Sequence, residues 1–339
     1  MRLSYAQNLE DYHLDLAFAG KVTGTYIDVG GGHPVADNVS FWFYLKGWRG
    51  LIVEPQADLA AAYAHIRPRD RVFQGLAGAS DGAVDFHIVE GLHGLSSMIK
   101  PHNSPGAGSA TQPAVAFRTE KRPMRRLDQL VAEAGFGTID FLKIDVEGAE
   151  PHVLAGIDFT KLRPRMLVIE AINPGNPGGD ASAWEPMLLA AGYEFCLFDR
   201  LNRFYVAKEA TELRAKLPAE ASPWDRVAHL WDEGRAPHNP KHGDHELART
   251  LEHGLMALLP GLEPKLLETL ILKGLRLPPG ERLSGDDIAR LLGSAENPGG
   301  EPVPGDMAAL LASSRFRAAL GRIACMYDGG HIVDEPGEI

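Results

Sequence analysis

The sequence is poor in cysteine, in long apolar runs and in surplus positive charge. Its 339 residues include two cysteines, Cys196 and Cys325, which cannot build a disulfide framework. No apolar run reaches the length of a bilayer span, and the start MRLSYAQNLE lacks the pattern of a signal sequence. These features predict a reduced, cytoplasmic protein without a membrane span.

The charge balance argues against a nucleic-acid partner. Thirty-four basic residues face 45 acidic ones, giving a net charge of -11. Such a surface repels a phosphate backbone unless its cations are clustered. The two short basic clusters, at 67–71 and 121–126, are interpreted as solvated loops. Hydrophobic residues at 45% and charged residues at 23% are typical of a globular protein, and the length suffices for two domains.

Strand and helix patterns alternate through the first two thirds of the chain. Strands are predicted at 24–29, 50–54, 71–77, 138–144, 166–171, 193–198 and 203–207, and helices near 34–46, 56–66, 125–134, 149–156 and 182–191. A capping box formed by Ser4 and Gln7 predicts an earlier helix from Ser4 to Gly20. This alternation predicts an α/β fold with a doubly wound, Rossmann-like sheet. Its last two strands are close enough in sequence to form a terminal antiparallel hairpin.

Two regions depart from the alternation. The segment at 83–91 predicts an extra strand leading to a Pro, Gly and Ser-rich loop at 102–113, which we interpret as a mobile cover. Residues 209–339 contain helix formers broken by Pro and Gly, so they predict a C-terminal helical appendage. The expected domains are therefore 1–208 and 209–339.

The segment TYIDVGGGHP predicts a ligand-binding loop between a buried strand and a helix that begins at Pro34. Gly30, Gly31 and Gly32 allow backbone amides to approach a ligand. Glu54 ends the next strand, 24 residues after Gly30. A carboxylate at that place can accept hydrogen bonds from both hydroxyls of a ribose. The predicted ligand therefore contains adenosine.

The glycine spacing selects between adenosine ligands. A dinucleotide fingerprint requires a third glycine where this chain has Val35. Asp28 at the strand end, followed by the glycines, instead favours S-adenosylmethionine. A nicotinamide-dependent reductase is the alternative enzyme, and a plain tight turn is the alternative reading of the glycines.

Several segments together resemble the FkbM-type methyltransferase family. They are YAQNLED at 5–11, YIDVGGGHP, GWRGLIVEP, RRLDQL and IDFLKIDVEGAEPHVLAG at 139–156. Where the family usually has GAN, Gly31 and Gly32 replace the alanine and the asparagine. The resemblance implies a class I methyltransferase fold that uses S-adenosylmethionine to methylate a hydroxyl of a sugar in a surface glycan or a glycosylated metabolite. Carbohydrate or polysaccharide biosynthesis is the expected setting, with a small-molecule or glycan acceptor.

The resemblance also extends the expected cofactor site. Gln7 lies in the YAQNLED segment, which implies that the first helix folds over the cofactor. Pro55 and Ala77, at the ends of the second and third predicted strands, are assigned to the same site, beside Asp28 and Glu54. In the alternative interpretation the protein is a non-catalytic partner module. Its sheet no longer has enzymatic activity, and its helical tail recruits glycan-assembly enzymes.

Two carboxylates at neighbouring strand ends are the candidate catalytic residues. Asp145 closes the strand FLKI and Glu170 closes LVIE, so both are expected to face the acceptor. One can act as a general base, or Asp145, Glu170 and Asn173 can hold Mg²⁺. Asp145 has the alternative role of capping the following helix.

Three neighbouring side chains have open assignments. His33 is either a second candidate base or a solvated histidine. Glu147 either binds substrate or favours the positive end of the following helix. Lys143, two residues before Asp145, either orients that carboxylate or forms a plain ion pair.

Overall fold

A central seven-stranded sheet organises the first part of the chain. The structure is a computed structural model that describes residues 1–89, 96–99, 117–172, 181–277, 282–293 and 302–324. In chain order the strands are β1 (Leu3–Ser4), β2 (Thr25–Val29), β3 (Arg49–Val53), β4 (Arg71–Phe73), β5 (Leu76–Ala77), β6 (Gly82–Val89), β7 (Phe117–Arg125), β8 (Phe141–Ile144), β9 (Met166–Glu170), β10 (Tyr193–Phe198), β11 (Asn202–Ala207) and β12 (Ala228–His229).

The central sheet has the order β10-β11-β9-β8-β2-β3-β4. β2 is parallel to both β3 and β8, and the outer pairs β3/β4 and β8/β9 are parallel as well. β11 runs antiparallel to β9 and to β10, with Asn202 opposite Glu170. The inner strands are buried on both faces, which explains their nearly continuous apolar residues: Met166–Ile169 are all 0% exposed. The protein is therefore a mixed α/β fold around one central sheet.

Helices connect most of these strands. They are α1 (Glu10–Ala17), α2 (Phe41–Leu45), α3 (Ala57–Ile66), α4 (Leu127–Ala134), α5 (Glu150–Leu154), α6 (Glu185–Ala190), α7 (Thr211–Arg214) and α8 (Leu230–Glu233). Helices α3, α4, α5 and α6 overlap the helices predicted at 56–66, 125–134, 149–156 and 182–191.

The helix predicted from Ser4 to Gly20 is shorter, and its capping box does not form. Ser4 lies in β1, and its hydroxyl donates a hydrogen bond to Asp11 Oδ1 at 2.6 Å. The helix begins only at Glu10, after Leu9, which has a left-handed φ of 65°. A side-chain partner inside the helix has thus replaced the backbone amide that the capping box requires.

The helix predicted from Pro34 to Lys46 is also wrong at its start, since α2 begins at Phe41. Asp37 has a φ of 51°, which interrupts a right-handed helix, and the Asn38 amide donates to Tyr5 O at 2.7 Å. Long-range contacts therefore hold 34–40 as an irregular segment.

The strand predicted at 71–77 is divided between two sheets. β4 belongs to the central sheet, whereas β5 pairs with β7, which in turn pairs antiparallel with β6. The break contains Gly75, where a Cβ would lie 2.6 Å from Pro123 O. The chain thus changes sheets at a point of close backbone approach. The extra strand predicted at 83–91 is found as β6, and its partner β7 was not predicted.

Neither basic cluster is simply a solvated loop. Residues 121–125 belong to β7. Arg67 is 0% exposed and forms a buried ion pair of 2.7 Å with Asp70. Arginine tolerates such a position when its donors are satisfied, and Arg67 also donates to Ser40 and to Tyr26.

The chain divides into two compact units, Met1–Asp232 and Glu233–Ile339. Residues 209–232, which the sequence assigned to the helical appendage, lie within the first unit. Leu213 packs in its hydrophobic core, and β12 pairs with β1. The structural boundary therefore falls 24 residues later than expected. Independent folding of either unit stays a prediction, and the loop at 102–113 lies outside the described residues.

The second unit is helical. Its longer helices are α9 (His245–Leu258), α10 (Pro264–Leu275), α11 (Gly285–Leu292), α12 (Met307–Ala312) and α13 (Ser314–Ala324). Leu267, Leu311 and Leu320 form one small core, and Ile288, Leu292 and Leu310 form another. None of the helices in the described ranges has the length and apolar character that a membrane span needs.

Candidate active site

A cavity of about 370 Å³ lies at the carboxyl ends of β2, β3 and β8. Its wall includes the glycine loop, the end of β3, the turn after β8 and the short segment at 96–98. In an open α/β sheet, ligands bind at the carboxyl ends of the strands, beside the strand at which the strand order reverses direction. Here β2 is that strand, with β3 on one side and β8 on the other.

The glycine loop is packed directly against the turn after β8. Gly30 has a φ of 80°, and a Cβ there would lie 1.7 Å from Asp145 O. The Gly30 and Gly31 amides both donate to Val53 O, which fixes the loop to β3. Gly30 is therefore required both by conformation and by space.

A buried polar network supports the glycine loop from behind. The Gly31 carbonyl accepts hydrogen bonds from Asn38 Nδ2 and from Tyr63 Oη, each at 2.8 Å. Arg67 donates to Asn38 Oδ1 at 2.9 Å. Sequence reasoning missed this network, because its members are distant in sequence and Arg67 resembled a surface residue.

Glu54 lines the cavity directly after the end of β3. It is 2% exposed, and its two carboxylate oxygens accept hydrogen bonds from the backbone amides of Gln56 and Gly32, at 2.7 and 2.8 Å. Burial raises the pKa of Glu54 to about 7. Each oxygen has a further lone pair that can accept from a ligand hydroxyl.

The other predicted cofactor residues line the same cavity: Gln7, Asp28, Gly30, Gly31, Gly32, Pro55 and Ala77. Asp28 is 1% exposed, accepts a 2.6 Å hydrogen bond from the Ser40 hydroxyl, and has its pKa raised by burial. The structure thus brings together residues that the sequence assigned separately.

Three carboxyl groups converge beside the glycine loop. One oxygen each from Asp145, Glu147 and Glu170 lie within 4.8 Å of one another. Asp145 follows β8, Glu170 ends β9, and Glu147 reaches the cluster from a turn in which it has a left-handed φ of 56°. Asp145 and Glu147 line the cavity; Glu170 is not among the described lining residues and is 7% exposed.

These carboxyl groups have different protonation states. Burial raises the pKa of Asp145, but Lys143 Nζ at 2.7 Å and a hydrogen bond with Glu170 together hold it below its usual value. Burial and the Asp145 charge raise the pKa of Glu170 to about 11 and that of Glu147 to about 8. At neutral pH Asp145 is therefore ionised, and Glu170 is protonated and can donate to it.

His33 lines the cavity but is poorly placed to act as a base. Its Nδ1 accepts hydrogen bonds from the Val35 and Ala36 amides, at 3.1 and 2.9 Å. The neutral ring then carries its proton on Nε2, so neither nitrogen has a free lone pair. Asn173, the third predicted metal ligand, lies outside the described residues.

Ser97 joins the three-stranded sheet to the turn after β8. Its hydroxyl lies 3.0 Å from Val146 O and 3.1 Å from Glu147 O, and its backbone pairs with His87. Ser97 is 4% exposed and lines the cavity. No sequence periodicity indicated this contact, because Ser97 forms an isolated β-bridge with His87 and does not belong to a regular strand.

A mixed α/β fold with a glycine loop at its strand ends and buried carboxyl groups beside it is typical of enzymes that bind a nucleotide-like cofactor. The sequence profile of the methyltransferase FkbM domain matches residues 28–195. Through these residues, the chain belongs to the FkbM methyltransferase family.

Two curated relatives are similar over shorter stretches. The 2-O-methyltransferase NoeI of Sinorhizobium fredii is 31% identical over 110 residues, covering 30% of this chain and 43% of NoeI. The AMB antimetabolite synthetase AmbE of Pseudomonas aeruginosa is 40% identical over 74 residues, covering 21% of this chain and 4% of AmbE. This chain thus spans less than half the length of either relative.

Among solved structures, the C-terminal domain of precorrin-6Y C5,15-methyltransferase from Rhodobacter capsulatus shows 14% identity. The match covers 58% of this chain and 86% of that one. With a TM-score of 0.29, it carries no argument about fold or function.

Proposed function

We propose that this protein is an S-adenosylmethionine-dependent O-methyltransferase acting on a sugar hydroxyl, either in a small glycosylated molecule or in a surface glycan. Family membership supports methyl transfer. The similarity to NoeI, a 2-O-methyltransferase, supports oxygen as the acceptor atom. The order of the central sheet, with parallel strands followed by an antiparallel pair at one edge, resembles the class I methyltransferase fold.

The residues around the cavity fit the cofactor. The Gly30–Gly32 loop leaves room for backbone approach, and the buried Glu54 can accept hydrogen bonds from ribose hydroxyls. Gln7, Asp28, Pro55 and Ala77 complete the proposed cofactor site. When bound, S-adenosylmethionine supplies a methyl group already activated by a sulfonium.

Asp145 is the proposed acceptor of the hydroxyl proton. It lines the cavity, and Lys143 keeps it ionised, so it can accept a hydrogen bond from the acceptor hydroxyl and hold that oxygen in line with the methyl group. Glu170 stabilises the Asp145 anion by donating to it. Glu147, which lines the cavity next to it, becomes ionised as the pH rises past about 8.

The observation that carries this proposal is the position of Asp145, which lines the cavity, pairs with Lys143 and lies in backbone contact with the glycine loop. The test is a methyl-transfer screen across sugar acceptors with mass readout. Asp145→Asn should lower turnover about 100-fold or more, since it preserves shape but removes the charge. Affinity for S-adenosylhomocysteine, measured by calorimetry, should change little.

Asp58→Asn provides a matched control, because Asp58 is an exposed carboxylate outside the cavity lining. Full turnover in Asp145→Asn would remove Asp145 from the chemistry. Binding of NAD in place of S-adenosylhomocysteine would contradict the methyltransferase proposal and support a nicotinamide-dependent reductase.

A further inference from the structure

We propose that Asp145, Glu147 and Glu170 form a binding site for one divalent cation of the Mg²⁺, Mn²⁺ or Ca²⁺ class. These cations prefer carboxylate oxygens. Ligand oxygens on opposite sides of one ion are about 4.0 to 5.2 Å apart, given metal–oxygen distances of about 2.0 to 2.6 Å. The three carboxyl groups, with one oxygen each within 4.8 Å of the others, already fit a single coordination sphere.

The observation that points most directly to a bound cation concerns Glu170 Oε2. Glu170 is 7% exposed, and this oxygen has no hydrogen-bond partner anywhere in the described part of the chain. Buried polar atoms are rarely left unpaired, because desolvation without a new partner is unfavourable. The atom belongs to the carboxyl group that faces Asp145 and Glu147, so one cation between the three groups would satisfy it.

The charge balance points the same way. Three carboxyl groups share one nearby ammonium, Lys143, whose Nζ contacts Asp145 Oδ2 at 2.7 Å. If all three are ionised, two negative charges remain, which matches one divalent cation or two protons. Lys143 contacts only one oxygen of Asp145, and a cation bound between the carboxyl groups would take the place of the hydrogen bond between Asp145 and Glu170.

The site differs from the one expected from sequence by the inclusion of Glu147. Its left-handed backbone brings its carboxyl group to the cluster, and the Ser97 hydroxyl holds the same turn through the Val146 and Glu147 carbonyls. Asp145 and Glu147 line the cavity, so a bound cation would have a coordination position open toward an acceptor hydroxyl. That role rests on the proposed function, whereas cation binding does not.

Binding is tested on the full chain, freed of metal with a chelator and titrated with MgCl₂, MnCl₂ or CaCl₂ in a calorimeter. Mn²⁺ is also followed by its electron paramagnetic resonance signal. We expect one site, and Glu147→Gln and Glu170→Gln should each weaken binding about tenfold or more. Glu220→Gln, which changes an exposed carboxylate far along the chain, should bind like the wild type.

Two results would overturn the proposal. One is the absence of binding up to about 10 mM, beyond the range of weak protein calcium sites. The other is equal affinity in the wild type, Glu147→Gln and Glu170→Gln, with circular dichroism showing that all three are folded. Either result means that these three carboxyl groups are not a cation-binding site. Binding of S-adenosylhomocysteine in the same samples tests the cofactor site independently, so failure of one proposal is distinguishable from failure of the other.

Discussion

Cofactor affinity should depend on pH through Glu54, and Glu54→Gln should remove that dependence. Burial raises the pKa of Glu54 to about 7, and its oxygens already accept from the Gly32 and Gln56 amides. Ribose hydroxyls would donate to the ionised carboxylate, so they stabilise the form that predominates above pH 7. Below pH 7 the carboxyl group must first lose its proton before it can accept these hydrogen bonds. Each further pH unit then makes the free energy of cofactor binding less favourable by about 1.4 kcal/mol.

The affinity of the wild type for S-adenosylhomocysteine should therefore be about tenfold weaker at pH 6 than at pH 8. At pH 8, Glu54→Gln loses hydrogen bonds to a charged group, which contribute about 1.5 to 3 kcal/mol. The new amide nitrogen also faces a backbone amide, either that of Gly32 or that of Gln56, and two donors cannot pair. We expect the affinity of this variant to fall at least tenfold and to become flat with pH.

Calorimetry from pH 6 to pH 8.5 measures both effects, and Glu220→Gln is the control because Glu220 is an exposed carboxylate outside the cavity lining. The wild-type profile should persist in that control. A flat wild-type profile, or tight binding by Glu54→Gln, would show that Glu54 does not contact the ribose.

Three further predictions concern stability. Gly30→Ala should lower the melting temperature far more than Gly32→Ala, because the added Cβ meets a carbonyl oxygen at 1.7 Å in the first case and nothing within 4 Å in the second; similar melting curves would refute the close contact. The pKa of Glu170, raised from 4.5 to about 11, means that the unfolded chain ionises first as pH rises, so the free energy of unfolding should fall between these values. Urea unfolding in the presence of chelator at pH 6 and pH 9 should show that decrease in the wild type and a smaller one in Glu170→Gln. An equal change of the free energy of unfolding with pH in both proteins would contradict the raised pKa. A chain ending at Asp232 should fold and bind S-adenosylhomocysteine, whereas one ending at Lys208 should melt several degrees lower, since it loses β12 and a buried leucine; identical melting would favour the earlier boundary.

The parts of the fold that could be predicted are those whose signal is local. β2, β3, β8 and β9 are buried on both faces, so their continuous apolar residues identify them without knowledge of their neighbours. Phe198 and Asn202 are close in sequence, which limits how their strands can connect.

Long-range contacts account for what could not be predicted. Ser4 carries a helix-capping pattern, yet its hydroxyl bonds to Asp11. Arg67 has the sequence context of a surface residue, but it becomes buried because Asp70, Asn38 and Ser40 supply partners for its donors. No local sequence pattern indicates hydrogen-bond partners that are distant along the chain.

The candidate site also contains residues that could be predicted from the sequence and residues that could not. Asp145 and Glu54 follow obvious strands, so their place at the cavity could be expected from the end of each strand. Glu147 joins the cluster through a left-handed turn, a conformation that a non-glycine residue rarely adopts. Glu170 was expected to face the acceptor directly. In the structure it lies beside Asp145 and is not among the described residues that line the cavity.

The three-stranded sheet beside the cavity has a consequence for how acceptor choice can diversify. It contacts the site through Ser97, which holds the turn after β8, and through Arg122, which donates to Pro55 O at 2.7 Å. Both anchors end on backbone carbonyls, which every residue type provides. Under the proposed function, a cavity-lining side chain of β6 such as Phe86 can therefore vary with the acceptor while both contacts persist, whereas Ala77 in β5 belongs to the proposed cofactor site.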